Sequence, residues 1–176
     1  TDPDLGPILL AAMSNGAKRA MAEVTANRPF IEYRQLLAID AQGQVAIHSG
    51  GQVLGIWGQA TGRDCAAAGN LLADTGVPEA MVAAFVAAIG PFGDRLMVAL
   101  QAGLAAGGEA GPVHSAGLKI VDQLDWPVAD LRIDWANDPI GMLQTAWDVF
   151  APQMAAYVQR ALNPSVAPSY GVAGDE

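Results

Sequence analysis

Residues 33–49 read YRQLLAIDAQGQVAIHS, and this stretch decides the fold class. It contains a strand-like run over residues 33–40 and another over 44–49, separated by a short turn that carries Gly43. Runs of this kind, joined by a short glycine-bearing turn, are typical of a β-hairpin. The stretch therefore predicts antiparallel sheet.

Helical and extended patterns follow one another irregularly on both sides of this hairpin. Apolar residues at three- and four-residue spacing predict helices, and apolar runs bounded by glycine or aspartate predict strands. The predicted helices cover residues 1–26 with a break at 14–16, then 78–88, 92–106 and a last helix opened by Asp138-Pro139. The further strands are a third run ending near Gly69-Asn70, then 115–121 and 130–135. An order without regular strand–helix alternation favours antiparallel sheet covered by helices.

The length and composition predict one folded domain. The chain has 176 residues, of which 52% are hydrophobic and 15% are charged. We expect the domain to cover residues 1–162 and residues 163–176, rich in proline, serine and glycine, to form an extended tail. The predicted strands are few for so many cover helices, so we expect part of the sheet to come from outside this chain.

Charge and cysteine content exclude several partners. The net charge of −9 repels phosphate backbones and anionic membranes, and the basic residues are scattered, so we expect no nucleic-acid or membrane partner. Apolar runs are shorter than the ~18 residues that suggest a membrane span. The one cysteine, Cys65, has no partner within the chain for a disulfide, which fits a cytoplasmic protein.

Thr1 is the candidate nucleophile. A free amine at Thr1 would lie beside its own hydroxyl, and an α-amine with a pKa of about 7.7–8.0 can take a proton near neutral pH. Asp2-Pro3-Asp4 follows as a helix-start signal, with a capping carboxylate and a proline suited to the first turn. The alternative is that processing or cleavage of the chain exposes a threonine without any catalytic role.

No motif predicts a metal or a cofactor. His48 and His114 are the only histidines and Cys65 stands alone, so no metal-ligand spacing occurs. The glycines of residues 103–111 lack the Gly-Lys-Ser/Thr end of a phosphate loop and are predicted to form a connector. His114 and Ser115 are neighbours in an extended segment, where side chains point to opposite faces, so they predict no catalytic dyad.

Asn70 is a candidate oxyanion donor. A Gly-Asn turn at a strand end can place a side-chain or backbone amide where negative charge develops during acyl transfer. The alternative is a left-handed turn residue, which asparagine tolerates well.

Several runs together resemble a known bacterial family. The resemblance covers roughly residues 1–150 and rests on the order and spacing of short motifs. These are YRQL at 33–36, IDAQGQVAIHSG at 39–50, GNLLA at 69–73, the descent from Arg95-Leu96 through residues 105–108 to Ser115-Ala116, and LRID at 131–134 with DPI at 138–140. The family carries a domain-of-unknown-function label and is grouped with the N-terminal nucleophile (Ntn) hydrolases. Residues 109–114 depart from it, because a basic residue and a glutamine usually follow Gly108.

The resemblance implies an α+β fold, a four-layer αββα sandwich. It also implies a precursor whose preceding fragment supplies strands and whose autocleavage would expose Thr1 as the nucleophile. The N-terminal fragment of the same precursor is then the expected partner, and the cleaved pair could form a homo-oligomer.

We therefore expect an amidohydrolase that cleaves a linear amide bond in a small molecule or short peptide, without a cofactor. Thr1 and Asn70 are the expected catalytic residues. Arg34 is expected to bind a substrate carboxylate or to orient Thr1, its alternative being a strand-end salt bridge. The alternative function is a non-catalytic αββα sandwich that binds a small ligand or a protein partner.

Overall fold

The computed structural model of the chain describes residues 2–26 and 28–172. It divides into two compact units, Thr1–Pro112 and Val113–Glu176. Both are mixed α and β, with small two-stranded antiparallel sheets and helices. The coarse α+β class is thus confirmed, while the single domain over residues 1–162 and the four-layer sandwich stay predictions.

The first unit contains two pairs of helices and two β-hairpins. Both hairpins are antiparallel, with Gln35 opposite Ser49 in the first and Gly58 opposite Gly69 in the second. In chain order the elements are α1 Leu5–Ala12, α2 Ala17–Thr25, β1 Gln35–Ile39, β2 Val45–Ser49, β3 Gly58–Gly62, β4 Cys65–Gly69, α3 Val77–Ala87 and α4 Phe92–Ala105.

The predicted helices and the first hairpin are confirmed, but the third run proves to be two strands. β3 is GQATG and β4 is CAAAG. Such small residues have little of the β-branched and aromatic content by which strands are recognised. The same small residues matter for packing. A Cβ added at Gly62 would lie 2.7 Å from Val82 Cγ1, and one at Gly58 would lie 2.7 Å from the Thr75 carbonyl, so α3 packs closely on this hairpin.

The first hairpin packs on the other helix pair. Leu5 and Leu9 of α1 form a buried cluster with Ala20, Met21 and Val24 of α2, and against it pack Leu36, Ala38 and Ala46. Since strand side chains alternate, the opposite face of β1 carries Gln35, Leu37 and Ile39. β1 also contacts β4. Contacts in the first unit thus run from α1 and α2 to the first hairpin, then to the second hairpin, then to α3 and α4.

Asp40 joins the α1–α2 turn to the β1–β2 turn. Its Oδ2 accepts a hydrogen bond from the Ala17 amide at 3.1 Å, and its Oδ1 accepts bonds from the amides of Gln44 and Gln42 at 2.9 and 3.0 Å. These amides, that of Ala17 above all, hold the pKa of Asp40 below its ordinary value of 3.8, although desolvation opposes them. Asp40, which lies 23 positions after Ala17 in the sequence, thereby caps the first turn of α2.

Asp40→Asn is expected to destabilise the protein at pH 7, because the amide nitrogen of asparagine accepts no hydrogen bond. A carboxylate with a lowered folded-state pKa contributes stability above the unfolded value, and this contribution is lost as the pH falls through the folded value. The gap between wild type and Asp40→Asn in denaturant unfolding should therefore close below pH 3.8. Asp122→Asn, the same change at an exposed site, is the control. A gap that persists in acid would contradict this role.

The second unit consists of a hairpin and two helices. β5 Ala116–Ile120 pairs with β6 Ala129–Ile133, and α5 Pro139–Phe150 and α6 Met154–Leu162 follow. The predicted cap of α5 is confirmed, since Asp138 Oδ1 accepts a bond from the Gly141 amide at 3.0 Å. The sequence motifs did not predict α6.

Candidate functional site

Thr1, the predicted nucleophile, lies outside the described residues, so the site is described from Asp2 onward. Asp2 is not a helix cap, because α1 begins at Leu5 and the N-cap residue Asp4 makes no side-chain cap bond. Asp2 Oδ1 instead accepts a bond from the Asp4 amide at 3.2 Å. Its Oδ2 forms an ion pair with Arg28 Nη2 at 3.1 Å. The segment before α1 is thereby tied to the segment after α2.

This arrangement holds the pKa of Asp2 below its ordinary value of 3.8. The hydrogen bond from Arg28 is the main cause, desolvation opposes it, and the Asp4 amide and the charges of Arg28 and Arg34 add to it. The Asp2 carboxylate is therefore paired with Arg28, and the charge of Arg34 also acts on it without forming an ion pair.

Arg34 lies between a short 3₁₀ turn, Ile31–Tyr33, and the start of β1. Its amide donates to the Ile31 carbonyl at 2.9 Å, and its carbonyl accepts from the Gly50 amide at 3.0 Å. Its Nε is buried and has no hydrogen-bond partner among the residues that the structure describes. No carboxylate of residues 2–26 or 28–172 forms an ion pair with Arg34, so the strand-end salt bridge is not seen there.

Asn70 directly follows β4, as predicted for a turn at a strand end. The residue with a left-handed backbone is not Asn70 but Leu71, with φ of 55°. The side chain of Asn70 is half-buried, and its Nδ2 lies 3.5 Å from the Leu54 carbonyl, which is long for a hydrogen bond. The amide donor is thus held only loosely.

The segment after Asn70 runs between two other chain segments. The amides of Leu71 and Leu72 donate to the carbonyls of Leu54 and Ile56 at 3.0 and 2.9 Å. On the other side, Leu72 pairs with Glu109, and the Ala73 amide donates to the Gly108 carbonyl at 3.0 Å. The glycine-rich loop is thus more than a connector, because it borders the Asn70 turn.

A chain of polar side chains links the two hairpins at the same end. Gln35 Nε2 donates to Ser49 Oγ at 2.9 Å and to the Gly58 carbonyl at 3.3 Å, and Ser49 Oγ donates to Gln59 Oε1 at 2.7 Å. Gly58 lies opposite Gly69, the residue before Asn70. The start of β1, which follows Arg34, and the end of β4, which precedes Asn70, thus lie at one end of the unit, although no hydrogen bond joins Arg34 to Asn70. Sequence analysis did not single out Gln35, Ser49 and Gln59.

An open cavity of about 580 Å³ lies beside the Asp2–Arg28 pair. Neither Arg34 nor Asn70 lines it. Its lining comes from α1, α2 and the segment after α2, and consists of Ile8, Ala11, Ala12, Glu23, Val24, Ala26, Arg28 and Pro29. The wall thus combines apolar side chains with the carboxylate of Glu23 and the guanidinium of Arg28.

The histidines have structural contacts. His114 Nδ1 lies 3.0 Å from the Ala136 carbonyl, and its ring stacks on Trp135 at 4.2 Å. His48 Nε2 lies 3.2 Å from the Ile31 carbonyl. Within the described ranges, no group of three or more His, Cys, Asp or Glu side chains could hold a metal ion. Nor do these ranges contain a helix that is both long and apolar enough to span a membrane.

Comparison with known proteins relates this chain to one family. The family model described as "Family of unknown function (DUF1028)" matches residues 1–143. A crystal structure of a protein from Silicibacter pomeroyi, assigned to the same family, is similar to this fold with a TM-score of 0.81. The two sequences are 31% identical over 90% of this chain and 70% of that one. No curated protein matches the chain significantly. The match over residues 1–143 shows that this chain belongs to the DUF1028 family, a family of unknown function.

Proposed function

We propose that this protein is an Ntn-type amidohydrolase that cleaves a linear amide in a small molecule or short peptide, with Thr1 as its nucleophile. The observation that carries the proposal is the charge arrangement next to Thr1. Asp2 is neutralised by Arg28, and the charge of Arg34 also acts on it. An uncompensated positive charge favours the neutral form of a nearby amine, and the neutral form is the one that can act as a base.

In the proposed reaction the Thr1 amine takes the proton of the Thr1 hydroxyl as its oxygen attacks the amide carbonyl. The C–N bond then breaks, the leaving nitrogen takes that proton, and water hydrolyses the ester that remains on Thr1. Asn70 Nδ2 is the proposed oxyanion donor, since its long contact with Leu54 leaves it available. The guanidinium of Arg34, unpaired in the described part of the chain, is the proposed partner of a substrate carboxylate.

Two features support a four-layer αββα sandwich with strands from a preceding fragment. The contacts of the first unit run from helix pair to hairpin to hairpin to helix pair, which is the layer order of such a sandwich. Leu37 and Ile39, on the β1 face turned away from α1 and α2, are 45% and 48% exposed. An apolar sheet face uncovered to this extent suits contact with further strands. We place the cleaved pair, singly or as a homo-oligomer, in the cytoplasm.

Intact-mass measurement of a freshly expressed precursor tests this directly. We expect two fragments whose masses meet at the bond before Thr1, and co-purification of both. Gel filtration of this chain expressed alone gives the control, because the uncovered strand face should make it associate. A soluble, monomeric and cooperatively folded chain would contradict the need for a fragment. An uncut precursor would favour the alternative, a non-catalytic sandwich that binds a ligand or a partner.

A further inference from the structure

The hydrogen bonds between Gln35, Ser49 and Gln59 have a fixed direction. The Gly58 carbonyl can only accept, so the Gln35 atom 3.3 Å from it must be the nitrogen. The same nitrogen donates to Ser49 Oγ at 2.9 Å, which leaves the Ser49 hydroxyl proton for Gln59 Oε1 at 2.7 Å. One backbone carbonyl thus sets the orientation of both side-chain amides, which is ordinarily ambiguous.

A consequence is that each amide presents one unused group. Gln35 uses its nitrogen for Ser49 and the Gly58 carbonyl, so its Oε1, an acceptor, is the group left unused. Gln59 is exposed and holds its oxygen against Ser49, so it presents its Nε2 with two donor protons. Neither Gln35 Oε1 nor Gln59 Nε2 has a partner among residues 2–26 and 28–172. The two hairpins therefore present an acceptor and a donor on either side of one serine.

We propose that Gln35 and Gln59, oriented by Ser49, bind an amide group of the substrate other than the one that is cleaved. An amide offers both complements, an N–H for Gln35 Oε1 and a carbonyl for Gln59 Nε2, whereas an ester or a carboxylate lacks the N–H. This proposal rests on the proposed function and narrows its substrate class to short peptides and peptide-like diamides. Ser49 is a positioning residue, and Gln35 and Gln59 are specificity residues.

The test compares two probes of the same shape, N-acetylalanine methylamide and methyl 2-acetoxypropanoate, a diester in which oxygen replaces both amide N–H groups. Each is titrated into the ¹⁵N-labelled mature protein while NMR follows the side-chain NH₂ signals of Gln35 and Gln59. We expect the methylamide to shift the Gln59 signals and to bind about tenfold more tightly than the diester, because the diester has no N–H for Gln35 Oε1. Equal binding of the two probes, or binding that leaves these signals unmoved, would overturn the proposal.

Gln59→Glu is the sharpest variant, since its carboxylate can still accept from Ser49 but presents an oxygen where Gln59 presents a donor. We expect it to remove the preference for the methylamide, and Gln123→Glu, an exposed site in the other unit, to leave the preference unchanged. Ser49→Ala should weaken the preference for the methylamide, because the side-chain amides of Gln35 and Gln59 both lose their hydrogen bond to Ser49. Ser49→Thr, which keeps the hydroxyl, should restore that preference.

One-dimensional ¹H spectra of the same samples separate this proposal from the proposed function, because hydrolysis releases methylamine, acetate or methanol with its own signals. Binding at the Gln35–Gln59 pair without hydrolysis of any amide would uphold the recognition site and contradict the hydrolase. Hydrolysis of amides without preferential binding of the methylamide would uphold the hydrolase and contradict the recognition site.

Discussion

Replacement of Thr1 by alanine in the precursor is expected to abolish both self-cleavage and amide hydrolysis. Alanine lacks the hydroxyl, so the covalent route through an ester on residue 1 disappears, and loss of a nucleophile costs on the order of 10⁴-fold or more in rate. Intact mass follows the self-cleavage, and release of amine from a peptide amide follows the hydrolysis. An alanine variant that still matures and still turns over substrate would exclude Thr1 as the nucleophile.

Thr1→Ser is the matched variant, because it keeps the hydroxyl and loses one methyl group. That methyl mainly restricts the χ1 rotamer, so serine should retain part of both activities. The comparison matters because Thr1→Ala alone could act through the fold. Circular dichroism of the three proteins should coincide, and serine activity as low as that of alanine would point to a structural role for the threonine side chain.

Local sequence patterns predicted the helices and strands in which apolar side chains recur at regular spacing. The helix face of Ile140, Leu143 and Trp147 and the alternation of the 33–49 hairpin were visible in the sequence, and both elements form as predicted. The β3–β4 hairpin was predicted as a single strand, because its alanines and glycines show no alternation of apolar and polar side chains. A strand made of these residues is stabilised by close packing against α3, which is a tertiary effect.

The site was predicted less well, because its contacts join residues distant in sequence. The ion pair between Asp2 and Arg28 spans 26 positions, and the local motif at Asp2 indicated a helix cap instead. The 33–49 hairpin alone would place Gln35 opposite Ser49, as its register shows. Gln59 joins them only when β3 lies beside this hairpin, and the local pattern merged β3 and β4 into one predicted strand. The left-handed position one residue after Asn70 falls on leucine, which local preference would not select.

The rate of hydrolysis is expected to rise through one ionisation between about pH 6 and 8 and to stay high above it, because the Thr1 amine must be neutral to act as base. Two charges of opposite sign meet at Asp2, the residue that follows Thr1 in the sequence. A carboxylate favours the protonated form of a nearby amine, and the Arg28 guanidinium, 3.1 Å from the Asp2 carboxylate, opposes that effect. Arg34 adds positive charge that acts on Asp2 and has no ion-pair partner in the described part of the chain.

Arg28→Gln tests this balance, because it leaves the Asp2 carboxylate uncompensated. The variant should move the rising limb of the pH–rate profile to higher pH, while Arg63→Gln, at a side chain that is 92% exposed, should leave the limb in place. The measured quantity is the pH at which the rate rises, and not the maximal rate, because the maximal rate also depends on substrate binding. A limb that stays fixed in Arg28→Gln would show that the Asp2–Arg28 pair does not act on the base.

Acetylation of the amine should remove the activity altogether, because an amide nitrogen is not basic at these pH values. The lysines of the chain, Lys18 and Lys119, would react with the same reagent. The experiment therefore uses mature Lys18→Arg/Lys119→Arg protein, in which the Thr1 amine is the amine of this chain left to modify. Loss of hydrolysis with an unchanged circular dichroism spectrum would assign the base to Thr1. If the acetylated protein works as fast as the free one, the Thr1 amine is not the base, and the charges around Asp2 then have another role.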